Sequence, residues 1–220
     1  MTDKRIVLFA GHYGSGKTNI AVNYAVRLKD EGYPVLIADL DIVNPYFRTK
    51  DSEKELAEKG IELICSEFAN TNLDIPSLPK NMYRVVNDKR YRAVMDIGGD
   101  DAGAIALGRF APSIAEENNY EMVFVANFYR PLTRTAEEAY GVMKEIEAAS
   151  SLKFTSIANN SNLGNETDAG DVLSSVGEAE RLSELSGLPV LFTCCENRLY
   201  EELKECGKEI FPLKLQSKLF

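Results

Sequence analysis

The run Gly11-His12-Tyr13-Gly14-Ser15-Gly16-Lys17-Thr18 constrains this chain more than any other stretch. It reads as Gly, four residues, then Gly-Lys-Thr, and it directly follows the apolar run Ile6-Val7-Leu8-Phe9-Ala10. Each part has a physical reason. Glycines let the backbone turn sharply and bring its N–H groups against phosphate oxygens. Lys17 places a point charge on the outer phosphates, and the Thr18 hydroxyl can ligate Mg²⁺. Residues 19–28 carry apolar side chains at Ile20, Ala21, Ala25 and Leu28, so a helix is expected there with its positive end facing the anion. The candidate phosphate-binding set is therefore Gly11, His12, Tyr13, Gly14, Ser15, Gly16, Lys17, Thr18 and Asn19.

The remaining apolar runs set the fold class. Pro34-Val35-Leu36-Ile37-Ala38 is apolar throughout rather than alternating, which is the signature of a strand covered on both faces. Further strands are expected at 61–65 (short and peripheral), 91–95, 122–126, 154–158 and 189–192. Helices are expected at 51–59, 80–88, 104–118 (interrupted near Pro112), 133–150 (Thr133 as N-cap) and 168–186 (ended by Gly187). Residues 66–79 read as a surface loop, and 211–220 as a final edge strand or packed terminus rather than a membrane anchor. Strands alternating with helices predict an α/β chain, a doubly wound, largely parallel sheet of P-loop NTPase type, with residues 1–220 as one domain.

In such a sheet ligands sit at the carboxyl ends of the strands. Asp39 and Asp41, Asp96, and Asn159 and Asn160 each follow an apolar run, which places them on the same edge as the glycine loop. Phosphoryl transfer depends on positioning and charge neutralisation, so carboxylates there would hold a metal or orient a water. Asp96 takes the metal task, and Gly98-Gly99 lets a following loop approach the outermost phosphate.

Composition excludes some classes. The net charge of −9 argues against general attraction to nucleic acid or an anionic membrane. The first residues lack a secretory signal and no apolar run is long enough to span a bilayer, so the cytoplasm is the expected location. The four cysteines, Cys65, Cys194, Cys195 and Cys206, form no Cys-x-x-Cys pair and read as reduced, packed thiols.

The loop, Asp39-Leu40-Asp41, Asp96-Ile97-Gly98-Gly99 and Asn159-Asn160 together resemble the MinD/ParA group of nucleotide hydrolases, which includes the nitrogenase iron protein and the CobQ/CobB-type domains. The resemblance implies a Mg²⁺-ATP-driven homodimer that acts as a nucleotide-dependent switch. Its catalytic residues would be Lys17, Asp39 towards the attacking water, Asp41 towards the metal's hydration shell, and Asp96. Metal ligation would fall to Thr18, Asp41 and Asp96, and purine contact to Asn160, with Asn159 second. One departure matters: the group's loop usually has a lysine directly after its first glycine, and here that residue is His12, the sole histidine. His12 could carry a pH-dependent charge near neutrality, or the across-dimer role could pass to Arg48.

No Asn-Lys-x-Asp guanine signature occurs, so ATP and ADP are favoured over guanine nucleotides. The partner is a macromolecule that reads the switch. The alternatives are a small acid that accepts phosphate, as in dethiobiotin synthetase and the CobB/CobQ enzymes, and nucleotide binding with negligible turnover.

Overall fold

A computed structural model of the chain describes residues 2–41, 49–65, 80–99 and 101–215. The expectations for 42–48, with Tyr46, Phe47 and Arg48, and for 66–79 lie outside the described residues.

Eight strands pair in one sheet, all parallel, in the order β3-β2-β4-β1-β5-β6-β7-β8. They are β1 (Ile6–Ala10), β2 (Val35–Leu40), β3 (Glu62–Cys65), β4 (Arg92–Ile97), β5 (Tyr120–Ala126), β6 (Ser156–Asn159), β7 (Val190–Glu196) and β8 (Ile210–Leu213). The strand order reverses around β1, with β4 on one side and β5 on the other, so the glycine loop leaves the sheet where ligand crevices form. The apolar run of β1 serves both faces. Ile6, Leu8 and Ala10 join one buried cluster, and Val7 and Phe9 the other.

Helix α1 (Lys17–Asp30) packs on the second face through Ile20, Tyr24 and Leu28, with the Tyr24 ring edge-on to Phe9 at 5.3 Å. The short α2 (Glu53–Glu58) buries Leu56 on this face, and α3 (Arg84–Asn87) follows a 3-10 turn, so the helix expected at 80–88 is only partly α. The opposite face is covered by α4 (Asp101–Gly108), α5 (Ala111–Glu117), α6 (Ala136–Ser150) and α8 (Val176–Ser186), with α7 (Ala169–Ser174) leading into α8; α9 (Tyr200–Leu203) packs beside β8.

Three of the differences from the sequence reading have a clear local cause. The break expected at Pro112 falls at Arg109 and Phe110, because proline is accepted in the first turn of α5, where its missing N–H costs no bond. The cap of α6 is Thr135, whose hydroxyl accepts from Glu138 N at 3.2 Å; the Thr133 hydroxyl instead donates to Asn127 O at 2.8 Å. The helix expected over 168–186 is split at Ser175, whose hydroxyl donates to Val172 O at 2.7 Å, a local bond that competes with helix continuation.

The tail forms β8 on the sheet's edge, where Pro212 is tolerated. At the amino edge, the Arg5 guanidinium forks onto Glu117 (Nη2 to Oε2, 2.6 Å) and donates to Val85 O at 3.0 Å. No helix among the described residues is long and apolar enough to cross a membrane.

Candidate functional site

The loop after β1 is built for close approach. Gly16 caps α1 at φ +87, and a Cβ there would lie 2.2 Å from Asn160 Nδ2, which donates to Ser15 O at 2.6 Å. Only glycine combines that dihedral with that contact. Helix α1 has no side-chain cap and no acid in its first turn, so neither a capping side chain nor a first-turn carboxylate offsets its positive end. Lys17, 6% exposed, donates to His12 O at 3.1 Å, folding back over the loop.

Parallel pairing sets the acids beside this loop. Asp96 lies in register with Phe9 of β1 and with Asp39 of β2. Its Oδ2 accepts from the Thr18 hydroxyl at 2.7 Å and the Thr49 hydroxyl at 2.9 Å. Its Oδ1 is buried and accepts no hydrogen bond among the described residues. Burial pushes the Asp96 carboxyl up to about 6, while the two hydroxyls and Lys17 pull the other way. Asp39 is buried and accepts from Asp41 N at 2.9 Å; Asp41 is half-buried at the mouth. Gly99 closes the opposite wall, where a Cβ would fall 2.7 Å from Tyr13 N and 2.9 Å from Lys17 Nζ.

The structure thus gathers Gly11 to Thr18, Asp39, Asp41, Asp96, Gly99 and Asn160 on one edge. Asn159 belongs there too, but to the scaffold: it is fully buried, donating to Ser175 Oγ at 2.8 Å and accepting from the Ser161 hydroxyl at 2.8 Å. Asn160 braces the loop through Ser15. Burial and the Lys17 ammonium hold the His12 imidazole below its ordinary 6.5.

Two residues escaped the sequence reading. Thr49, fully buried, ends the stretch that follows Asp41 and reaches Asp96; a hydroxyl eight positions beyond a carboxylate has no recognisable spacing. Arg130 lies in the turn after β5, with its side chain beside Gly14 of the loop. The rule that ligands gather at strand carboxyl ends would have found it.

An orphaned carboxylate oxygen beside a threonine hydroxyl at a helix N-terminus fits Mg²⁺, which takes one or two carboxylates plus waters and phosphate oxygens rather than a cage of protein ligands. Among the described residues no three His, Cys, Asp or Glu side chains cluster as such a cage. A cavity of about 450 Å³ lies elsewhere, between α8 and β7; Glu180, Glu184 and Glu209 line it, a poor setting for phosphate. Cys194 and Cys195 are buried, and burial pushes both thiols up, Cys195 to about 11.

Sheet order, loop and strand-end acids define an α/β P-loop NTPase-like fold. No protein-family model matches the sequence, nor does any curated protein. Likeness appears in solved structures. Cell division protein FtsY from Thermotoga maritima matches at a TM-score of 0.61 and 15% identity, over 86% of this chain and 60% of that one. Chloroplast FtsY from Physcomitrella patens matches at 0.56 and 19%, over 88% and 59%. The signal recognition particle 54 kDa protein from Aeropyrum pernix K1, in complex with GDP, matches at 0.53 and 16%, over 88% and 42%. This chain spans less than two thirds of each of those structures, and at such identities the likeness is one of fold.

Proposed function

We propose that this chain binds a nucleoside triphosphate with Mg²⁺ and hydrolyses it as a molecular switch. The observation that carries the reading is the buried, unpartnered Asp96 Oδ1 beside the Thr18 hydroxyl. A folded protein keeps such an oxygen at a cost of about 1–3 kcal/mol, and a bound cation would remove that cost.

In this reading the loop N–H groups and the head of α1 hold the phosphates, and Lys17 turns from His12 O towards them. Thr18 and Asp96 would hold Mg²⁺, with Asp41 reaching its water shell. Held there, the ion would supply positive charge to offset the negative charge that builds on the phosphate oxygens. Asp39, fixed by the Asp41 N–H, orients the attacking water. Gly99 brings backbone N–H within reach of the terminal phosphate because nothing larger fits against Tyr13.

ATP is the proposed nucleotide, resting on the missing guanine signature, although FtsY from Elizabethkingia anophelis and the Aeropyrum protein were solved with GDP. The amide nitrogens of Asn159 and Asn160 are engaged within the protein, so base contact through those donors requires an exchange of partners. The resemblance to the MinD/ParA group supports a homodimer closing over the nucleotide. Binding with negligible turnover is the second reading, favoured by histidine at position 12 where the MinD/ParA group carries a lysine.

The test is titration with Mg²⁺-ATP and Mg²⁺-GTP, light scattering and phosphate release, for the wild type and Lys17→Ala. Tighter binding of ATP, an ATP-dependent dimer and turnover lost in the variant are expected. Equal binding and turnover in Lys17→Ala would overturn the site; preference for GTP would overturn the choice of base.

A further inference from the structure

The turn after β5 is braced to an unusual degree for an exposed connection. Asn127 O accepts from Arg130 N at 3.1 Å and from the Thr133 hydroxyl at 2.8 Å. Asn127 Oδ1 accepts from Tyr129 N at 3.1 Å. Two further bonds tie the turn to neighbouring segments: Phe128 N donates to Ser161 Oγ at 2.9 Å, and the Tyr129 hydroxyl to Asp171 O at 2.7 Å. The turn also stores strain. Leu132, 64% exposed, sits at φ +67, where a branched residue is costly and where the surroundings must enforce the conformation.

What this turn presents is Arg130. A Cβ on Gly14 would lie 3.6 Å from Arg130 Nε and 3.8 Å from its Cδ and Cζ, so the exposed guanidinium lies beside the tip of the phosphate loop, about one side-chain atom away. No carboxylate among the described residues lies within ion-pairing distance of it. Among the described arginines, Arg5, Arg27, Arg84, Arg90, Arg181 and Arg198 pair with acids, whereas Arg92, Arg109, Arg130 and Arg134 do not, and of these four only Arg130 lies beside the glycine loop. A guanidinium on a braced turn beside a glycine loop, in a chain of net charge −9, is matched to an anion, and its planar fork suits phosphate oxygens.

We propose that Arg130 is a second cation of this site, laying its guanidinium on the phosphate chain of the nucleotide held by residues 11–18. The inference rests on the nucleotide reading above. It assigns to the β5–α6 turn a binding role separate from Lys17: Lys17 approaches from α1, and Arg130 from across the loop. Contact with the outer phosphates makes the residue sensitive to phosphate number, which a merely structural turn residue would not be.

The experiment compares the wild type with Arg130→Lys, Arg130→Gln and Lys17→Ala, titrating ATP, ADP and AMP, and the guanine series, in Mg²⁺ at low and moderate salt. Thermal melts confirm folding. Arg130→Gln should weaken triphosphate binding at least about tenfold, as expected for losing a charge-assisted hydrogen bond, with a smaller effect on monophosphate. Arg130→Lys should recover part of the loss, and the salt dependence of binding should shrink in Arg130→Gln. Wild-type affinity in Arg130→Gln, where Lys17→Ala has lost binding, overturns this assignment alone. Equal losses for mono- and triphosphate also overturn it. Absence of binding to the wild type overturns the nucleotide reading and this inference together.

Discussion

Replacing Asp96 by asparagine should remove a specific portion of the protein's pH dependence. The carboxyl is 1% exposed, and burial moves it from the ordinary 3.8 to about 6 despite the hydroxyls of Thr18 and Thr49. A proton held more tightly in the folded than in the unfolded state makes the fold lose stability as pH rises between those two values. Below the lower one both states are protonated; above the upper one both are ionised and the penalty is complete. At about 1.36 kcal/mol per pH unit the loss is on the order of 3 kcal/mol. Asparagine keeps the shape and can still accept both hydroxyl bonds. Its amide at the Oδ1 position adds a cost that does not vary with pH. Urea unfolding of both proteins in EDTA, from about pH 4 to pH 7, gives the comparison, because other carboxylates titrate in both and cancel in the difference. Wild type should lose ground to Asp96→Asn as pH rises, then run parallel above about pH 6. Curves parallel throughout would refute the reasoning that a buried, under-satisfied carboxylate is maintained here.

Two more perturbations probe other parts of the structure. Gly99→Ala sets a Cβ 2.7 Å from Tyr13 N and 2.8 Å from Tyr13 Cα, backbone atoms that cannot swing aside. Overpacking of about 1–3 kcal/mol and at least about a tenfold loss of nucleotide affinity should follow; unchanged affinity in an equilibrium titration would contradict the wall assigned to Gly99. Glu117→Gln leaves the buried Arg5 guanidinium without its counter-charge and should cost about 3 kcal/mol in urea unfolding at neutral pH. Arg5 holds the Glu117 carboxyl below its ordinary 4.5, so the stabilisation is present above that value and lost as pH falls through the folded-state value. Wild type and variant should converge in acid, and a neutral-pH difference under about 1 kcal/mol would show the pair to be inconsequential.

The phosphate loop and the strand-end acids were legible because their chemistry is local: glycines, a lysine and a threonine in fixed spacing after an apolar run. Parallel topology then brought Asp39 and Asp96 side by side without further information. Contacts that depend on how separate turns fall against one another were not legible. Thr49 on Asp96, Asn160 under Ser15 and Arg130 over Gly14 join segments with no shared sequence pattern. Asn159 shows the converse. Its place after an apolar strand suggested a ligand contact, but full burial sends both ends of its amide to Ser175 and Ser161. Thr133 and Thr135 differ by two positions, and which one caps α6 is decided by Asn127 O, a tertiary partner that propensity does not contain.

The placement of β1 between β4 and β5 bears on how the protein comes to life during translation. Thr18 meets Asp96 across 78 residues of chain and Ser15 meets Asn160 across 145. The glycine loop therefore precedes its braces by most of this fold, and those braces are synthesised much later. Long-range pairings of this kind form slowly, because the entropy of closing the intervening chain is spent before any contact repays it. A nascent chain that stops before Asn160 has the sequence of a phosphate loop without its support. On the proposed function, nucleotide capture would thus mark completion of the sheet through β6 rather than of the loop's own strand, and nucleotide would act as a ligand that favours the finished fold over every partly made one.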